Sequence, residues 1–174
     1  MFPLIILAGP TTSKKSATAI ALAEKLNGEI IGADSMQVYK YFDIGTAKAS
    51  LEDRARIPHH LVDILEPDEE FTALDFKTCA LKHTRELIVR SKIPIITGGT
   101  GLYLKVLRED YNCAVQINSE IGKQVQFEIR NKGLSFMYKE LGQIDLASAE
   151  RISPADTQRI ERAISVYRQT GKTL

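Results

Sequence analysis

The 174-residue chain has no tryptophan and only two cysteines, Cys79 and Cys113. Two thiols without a C-x-x-C spacing build neither a disulfide framework nor a thiolate metal site, so free cysteines in a reducing compartment are expected. No apolar run approaches the roughly 20 residues that a membrane span needs, and the apolar residues at the start lack the basic lead-in of a secretion signal. An excess of one charge sign is missing too: 23 Lys plus Arg stand against 22 Asp plus Glu. That balance excludes a global basic field for nucleic acid. The stretch from Arg151 onward is locally basic, and a solvated helix face is the plain reading there. What remains is a cytoplasmic protein with no membrane association, in which 44% hydrophobic residues suffice for a sizeable core.

Against these absences, the first half alternates short apolar runs with amphipathic stretches, the pattern of an α/β fold with a parallel sheet. Residues 4–8 read as a buried strand and residues 16–27 as a helix with Ala19, Ile20, Ala23 and Leu26 on one face, stopped by Gly28. Strands are expected at 29–33, at 61–65 and at 93–97. Thr72 and Asp75 have the spacing of a capping box opening a helix that runs to about Arg90. The strand at 93–97 delivers Gly98-Gly99-Thr100-Gly101 to the carboxyl edge of the sheet, where open α/β sheets bind ligands. Beyond Asp110 the strand-like runs stop. Residues 115–142 read as polar helix, short of strong core residues. Ser153-Pro154-Ala155-Asp156 is expected to start a further helix with Ser153 as cap, Ile160, Ala163, Ile164 and Tyr167 as its apolar stripe, and Gly171 as its end.

The strongest motif is Gly9-Pro10-Thr11-Thr12-Ser13-Lys14-Lys15-Ser16. It follows the pattern G-x-x-x-x-G-K-[ST] except that Lys14 stands where the pattern has glycine. Placed between a strand and a helix, such a loop aims backbone N–H groups and a helix N-terminus at a phosphate. Lys15 would neutralise a terminal phosphate and the Ser16 hydroxyl would ligate Mg²⁺. Glycine at position 14 lets backbone approach phosphate closely; a Cβ there is expected to strain the loop or push the phosphate outward. Asp34, at the end of the second strand, has the position of a general base or a Mg²⁺ partner. His59-His60 lack a supporting ligand cluster and read as structural or surface residues. Gln158, Arg159 and Arg162 fall within one helical turn, on a face able to meet phosphate or base.

Taken together, Gly9-Pro10-Thr11, the segment Asp34-Ser35-Met36-Gln37-Val38-Tyr39, Asp43-Ile44-Gly45-Thr46-Ala47-Lys48, Pro58-His59-His60-Leu61, Gly98-Gly99-Thr100-Gly101-Leu102-Tyr103 and Asp156-Thr157-Gln158-Arg159-Ile160 closely resemble the tRNA dimethylallyltransferase family. The motifs occur in the family's order and span nearly the whole chain. The resemblance implies a P-loop NTPase-like α/β core over residues 1–110, a reduced helical insertion over 111–150 that in the family grips the anticodon stem-loop, and a helix returning to the core over 151–174. It implies a monomeric transferase that modifies tRNA, moving a dimethylallyl group from dimethylallyl diphosphate to N6 of adenosine 37, with Mg²⁺ as cofactor. The nucleotide-binding type of loop, Gly9 to Ser16, would then hold diphosphate rather than ATP. Asp34 is the implied base and Thr100 its catalytic neighbour. The implied tRNA contacts are Asp34, Ser35, Met36, Gln37 and Thr100, with Gln158, Arg159, Ile160, Glu161 and Arg162. The chain ends where family members continue, so a truncated member of weak or absent activity is expected. Two further readings stay open: a non-catalytic remnant, and a small-molecule kinase sharing the loop and sheet.

Overall fold

The apolar run after the N-terminus becomes β1 (Ile5–Ala8), which pairs in parallel with β4 (Ile93–Gly98); β2 (Gly28–Gly32) lies on the other side of β4, and the short β3 (His59–His60) closes the sheet. The computed structural model describes residues 4–9, 13–109, 115 and 117–174. It divides into two units, Met1–Tyr111 and Asn112–Leu174.

In the first unit the sheet is covered on both faces, which is why its central strands read as unbroken apolar runs. On one face α1 (Lys15–Leu26) sets Ala19, Ile20 and Ala23 over Ile30 and Ile95. On the other, α3 (Ala73–Val89) and α4 (Gly101–Arg108) place Phe76, Ala80, Leu87, Tyr103 and Val106 over Ile31 and Ile96. Full burial of each of the larger apolar side chains, Ile31, Phe76, Leu87, Ile95 and Ile96 among them, contributes about 1.5–3 kcal/mol. The capping box is present at the start of α3: the Thr72 hydroxyl accepts from Asp75 N at 3.2 Å and the Asp75 carboxylate from Thr72 N at 2.9 Å. A short helix, α2 (Leu51–Arg56), is capped by Ser50 and precedes β3.

The strand expected at 61–65 does not form. Leu61 and Asp63 take left-handed backbone, φ 60° and 56°, which ends extended pairing after His60; Leu65 retains only a single bridge to Tyr39.

The second unit holds α5 (Ser119–Lys132), α6 (Leu134–Ile144), α7 (Leu146–Arg151) and α8 (Thr157–Thr170). The expected lack of a strong core in residues 115–142 is corrected: Val125, Met137 and Leu141 are fully buried with Ile160 and Ile164. The stripe was hard to see in α5, which buries only Val125 fully in an otherwise polar sequence, whereas α6 packs Leu134, Met137, Tyr138, Leu141 and Ile144 in or against this core. It follows that α8 shares one core with α5, α6 and α7, so the expected split into an insertion and a separate returning helix gives way to one helical bundle. The cap of α8 is Asp156, whose carboxylate accepts from Arg159 N at 3.0 Å, and not Ser153, whose carbonyl accepts from Asp156 N in the preceding turn. Gly171 ends α8 in left-handed backbone as expected, φ 68°. Arg168 ties three of the helices, bonding Glu128 at 2.7 Å and Glu140 at 2.7 Å.

Candidate active site at the carboxyl edge of the sheet

The parallel register puts Ala8 beside Gly98 and Gly32 beside Thr97, so β1, β4 and β2 end at one edge. Each therefore delivers its following residues to the same place: the phosphate-type loop after β1, Asp34 after β2, and Gly99-Thr100 after β4.

A close backbone approach locks the last two together. A Cβ built on Gly98 would lie 2.0 Å from the Ala33 carbonyl oxygen, so no other residue fits without moving backbone. Ala33 N donates to Thr97 O at 2.8 Å and Thr100 N to Ala33 O at 3.2 Å. With backbones this near, the Thr100 hydroxyl accepts from Ser35 N at 2.9 Å and lies 3.3 Å from the Ser35 hydroxyl. Asp34 is half-buried, and its Oδ1 accepts from Met36 N at 3.0 Å, a turn that aims the carboxylate along the sheet edge. Its Oδ2 faces Gly99, where an added Cβ would stand 3.8 Å away. Next to this edge Tyr103 is buried and stacked on Phe76, and burial pushes its hydroxyl up to about 12, which removes it as a proton acceptor near neutrality.

In the phosphate-type loop, Gly9, Ser13, Lys14, Lys15 and Ser16 are described, while Pro10, Thr11 and Thr12 lie outside the described residues. Lys14 takes φ 59° and ψ 22°, the left-handed conformation for which the motif has glycine, and it forms the N-cap of α1. The strain expected from the sequence is thus located: the loop keeps glycine's backbone and carries a Cβ on it, at a cost of roughly 1–2 kcal/mol. Lys15 Nζ lies 3.5 Å from the Ser13 hydroxyl, and Ser16 is exposed in the first turn of α1. The donor type at Ser16, a hydroxyl oxygen, suits a hard cation that takes its remaining ligands from phosphate oxygens and water. Among the described residues no group of three or more His, Cys, Asp or Glu is placed to hold a metal ion by itself.

A cleft of about 650 Å³ opens beside Asp34, lined by Met36, Tyr41, Phe42, Asp43, Ile44, Gly45 and Thr46. Gln37 does not face it as a free donor; its Nε2 bonds Thr46 O at 2.9 Å and so pins the far end of the cleft wall. The family motif Asp43–Lys48, which the sequence leaves without a task, supplies part of that wall through Asp43, Ile44, Gly45 and Thr46. His60 and His59 are structural, as expected: His60 Nε2 sits 2.7 Å from Glu29, which also accepts from Arg90, and His59 Nδ1 sits 2.7 Å from Ile57 O.

The residues 158–162 belong to α8 in the helical unit. Ile160 is fully buried in that unit's core, which corrects its assignment as a tRNA contact. Gln158 and Arg159 are exposed; Arg159 pairs with Asp156 at 2.7 Å, Glu161 accepts from Gln126 at 2.9 Å, and Arg162 donates to Val115 O at 2.7 Å.

Comparison with known proteins now adds to this geometry. A family model described as IPP transferase matches residues 37–174. The tRNA dimethylallyltransferase of Alkaliphilus oremlandii is 47% identical over 98% of this chain and 55% of its own length. The chain thus spans about half the length of the curated relatives it matches. Among solved structures, a Staphylococcus epidermidis tRNA Δ2-isopentenylpyrophosphate transferase shares 44% identity with TM-score 0.59, covering 98% of this chain and 56% of that one. A eukaryotic dimethylallyltransferase acting on tRNA shares 33% identity with TM-score 0.82, covering 99% and 43%. With the family model spanning most of the chain, and the parallel sheet matching in three dimensions, the chain belongs to the IPP transferase family, that of the tRNA dimethylallyltransferases.

Proposed function

We propose that this chain carries the reaction centre of a tRNA prenyl transferase that moves a dimethylallyl group from dimethylallyl diphosphate to N6 of adenosine 37. The observation that carries this reading is the convergence of Asp34, Thr100 and the phosphate-type loop on one sheet edge. The N6–C1 bond forms as the C1–oxygen bond breaks, diphosphate leaves with the bonding pair, and the N6 proton passes to Asp34. An exocyclic amine is a weak nucleophile, so a carboxylate taking its proton is worth roughly 10²–10⁴ in rate. Thr100 holds the backbone of Ser35 and with it the direction of the Asp34 carboxylate. Lys15 and the backbone around Ser13 bind the diphosphate, and Ser16 would hold Mg²⁺, which when bound neutralises the leaving group. The cleft beside Asp34 is the adenine site, with the base turned out of its RNA stack. Gln158, Arg159 and Arg162 are read as RNA contacts. The protein is taken as a cytoplasmic monomer.

The test is transfer from labelled dimethylallyl diphosphate to an unmodified tRNA bearing adenosine 37. Asp34→Asn, which keeps the side-chain shape, is expected to lower the transfer rate by on the order of 10² or more while leaving diphosphate affinity unchanged. Transfer undiminished in Asp34→Asn overturns the role given to this carboxylate.

A further inference from the structure

The cleft wall opposite Asp34 is a loop with left-handed backbone at both shoulders. Tyr41 has φ 68° and Ala47 φ 50°. Non-glycine residues hold such conformations only where their surroundings over-determine them. Gln37 holds the far end through Thr46 O, and the group that closes the near end is Lys48. Its side chain is only 2% exposed, and its ammonium uses all three protons within the protein. Nζ lies 2.6 Å from Tyr39 O, 2.9 Å from Asp43 Oδ1 and 2.5 Å from Asp63 Oδ1.

These acceptors define a neck. Tyr39 leads into the loop, Asp43 lies within it, and Lys48 itself leaves it. Asp63 is the fixed post, since Arg54 holds its other oxygen at 2.5 Å and its N–H donates to Gln37 O at 3.1 Å. Burial pulls the Lys48 ammonium down, but hydrogen bonds to Asp63 and Asp43 outweigh it and hold its pKa above the ordinary value, so it stays charged. An ammonium with three short bonds to the protein has no proton left for a phosphate. Its task is mechanical.

We infer that Lys48 is a positioning residue: by closing the neck of the Tyr41–Ala47 loop it sets the cleft wall at the distance from Asp34 that the target base requires. The inference rests on reading that cleft as the adenine site. Loss of the ammonium leaves Asp43 and Asp63 facing each other without a cation between them, and the neck opens. The phosphate-type loop hangs from β1 and α1 and does not depend on this bridge.

The experiment compares the full chain with Lys48→Met, measuring affinity for an unmodified anticodon stem-loop RNA, affinity for dimethylallyl diphosphate, and amide hydrogen exchange. RNA affinity is expected to fall on the order of tenfold or more, as for other small misplacements of a binding element, with diphosphate affinity unchanged. Exchange is expected to speed up at Ala47 and Lys48, whose N–H groups bond across the loop, while Ala33 stays protected in the sheet. Should Lys48→Met fail to fold, Asp43→Asn removes one exposed partner of the same bridge and is expected to give a smaller loss of the same kind. Unchanged loop exchange, or an equal loss of both affinities, overturns the positioning role. Absence of RNA binding by the unaltered chain, with the exchange pattern as expected, instead strikes the adenine reading and leaves the neck intact.

Discussion

Lys14 sits where two demands on one residue meet. Its carbonyl accepts from Thr18 N at 3.1 Å and from the Thr18 hydroxyl at 3.2 Å, fixing it as the cap of α1, and it does so with a left-handed φ of 59°. Glycine meets both demands without a Cβ. Lys14→Gly is therefore expected to relieve roughly 1–2 kcal/mol of native strain, offset by about 0.4–1 kcal/mol from the freer unfolded chain. The net is a gain of between about 0 and 1.6 kcal/mol. Diphosphate binding should improve several-fold, because backbone N–H groups then approach the anion, and prenyl transfer should rise with it. Titration with inorganic diphosphate alongside a thermal melt checks both halves. Unchanged or weaker binding would show that the Lys14 charge matters more than the backbone it distorts.

Elements depend on where their ends meet. A methyl group at Gly98 would collide with the Ala33 carbonyl, whereas one at Gly101, at the start of α4, meets nothing within 4 Å. Gly98→Ala is expected to destabilise by at least about 1–3 kcal/mol, the usual cost of overpacking, and to abolish transfer by parting Thr100 from Ser35. Gly101→Ala is expected to be neutral or stabilising by about 0.5–1 kcal/mol, since alanine is the better helix former. Urea midpoints decide between these; equal effects at the two positions would overturn the close-approach argument. The same ends explain what the sequence made legible. β1, β2, β4 and the Thr72–Asp75 box depend on neighbouring residues, so periodicity and spacing found them to within a residue or two. β3 and the left-handed turns at Leu61 and Asp63 are decided by pairing with Glu29's strand and by the Asp63 bonds to Lys48 and Arg54, partners distant in sequence. The Asp34 and Thr100 positions were legible because strand ends in a parallel sheet share one edge. Lys48 was not, because nothing local distinguishes a buried lysine from a solvated one.

For the molecule as a whole, the two units differ in what acid does to them. All three histidines lie in the first unit, and burial lowers the pKa values of His59 and His83 from 6.5. A histidine lowered on folding is held neutral in the native state, so the unfolded chain binds more protons and stability falls once pH drops below about 6.5. In the second unit Glu128 is lowered to about 2, first by its hydrogen bond from Arg168 and then by that from Lys132. A depressed carboxylate stabilises fully above its unfolded value of 4.5 and loses that contribution as pH falls toward about 2. Amide protection in α3 is therefore expected to decline as pH drops below about 6.5, while protection in α8 holds until pH passes below about 4.5. Glu128→Gln should flatten the acid limb in α8 and leave α3 as it was. Exchange read at single residues, corrected for its intrinsic pH dependence, checks this. Loss of α8 protection in the histidine range, or an α3 indifferent to it, would overturn the assignment of acid sensitivity to these groups.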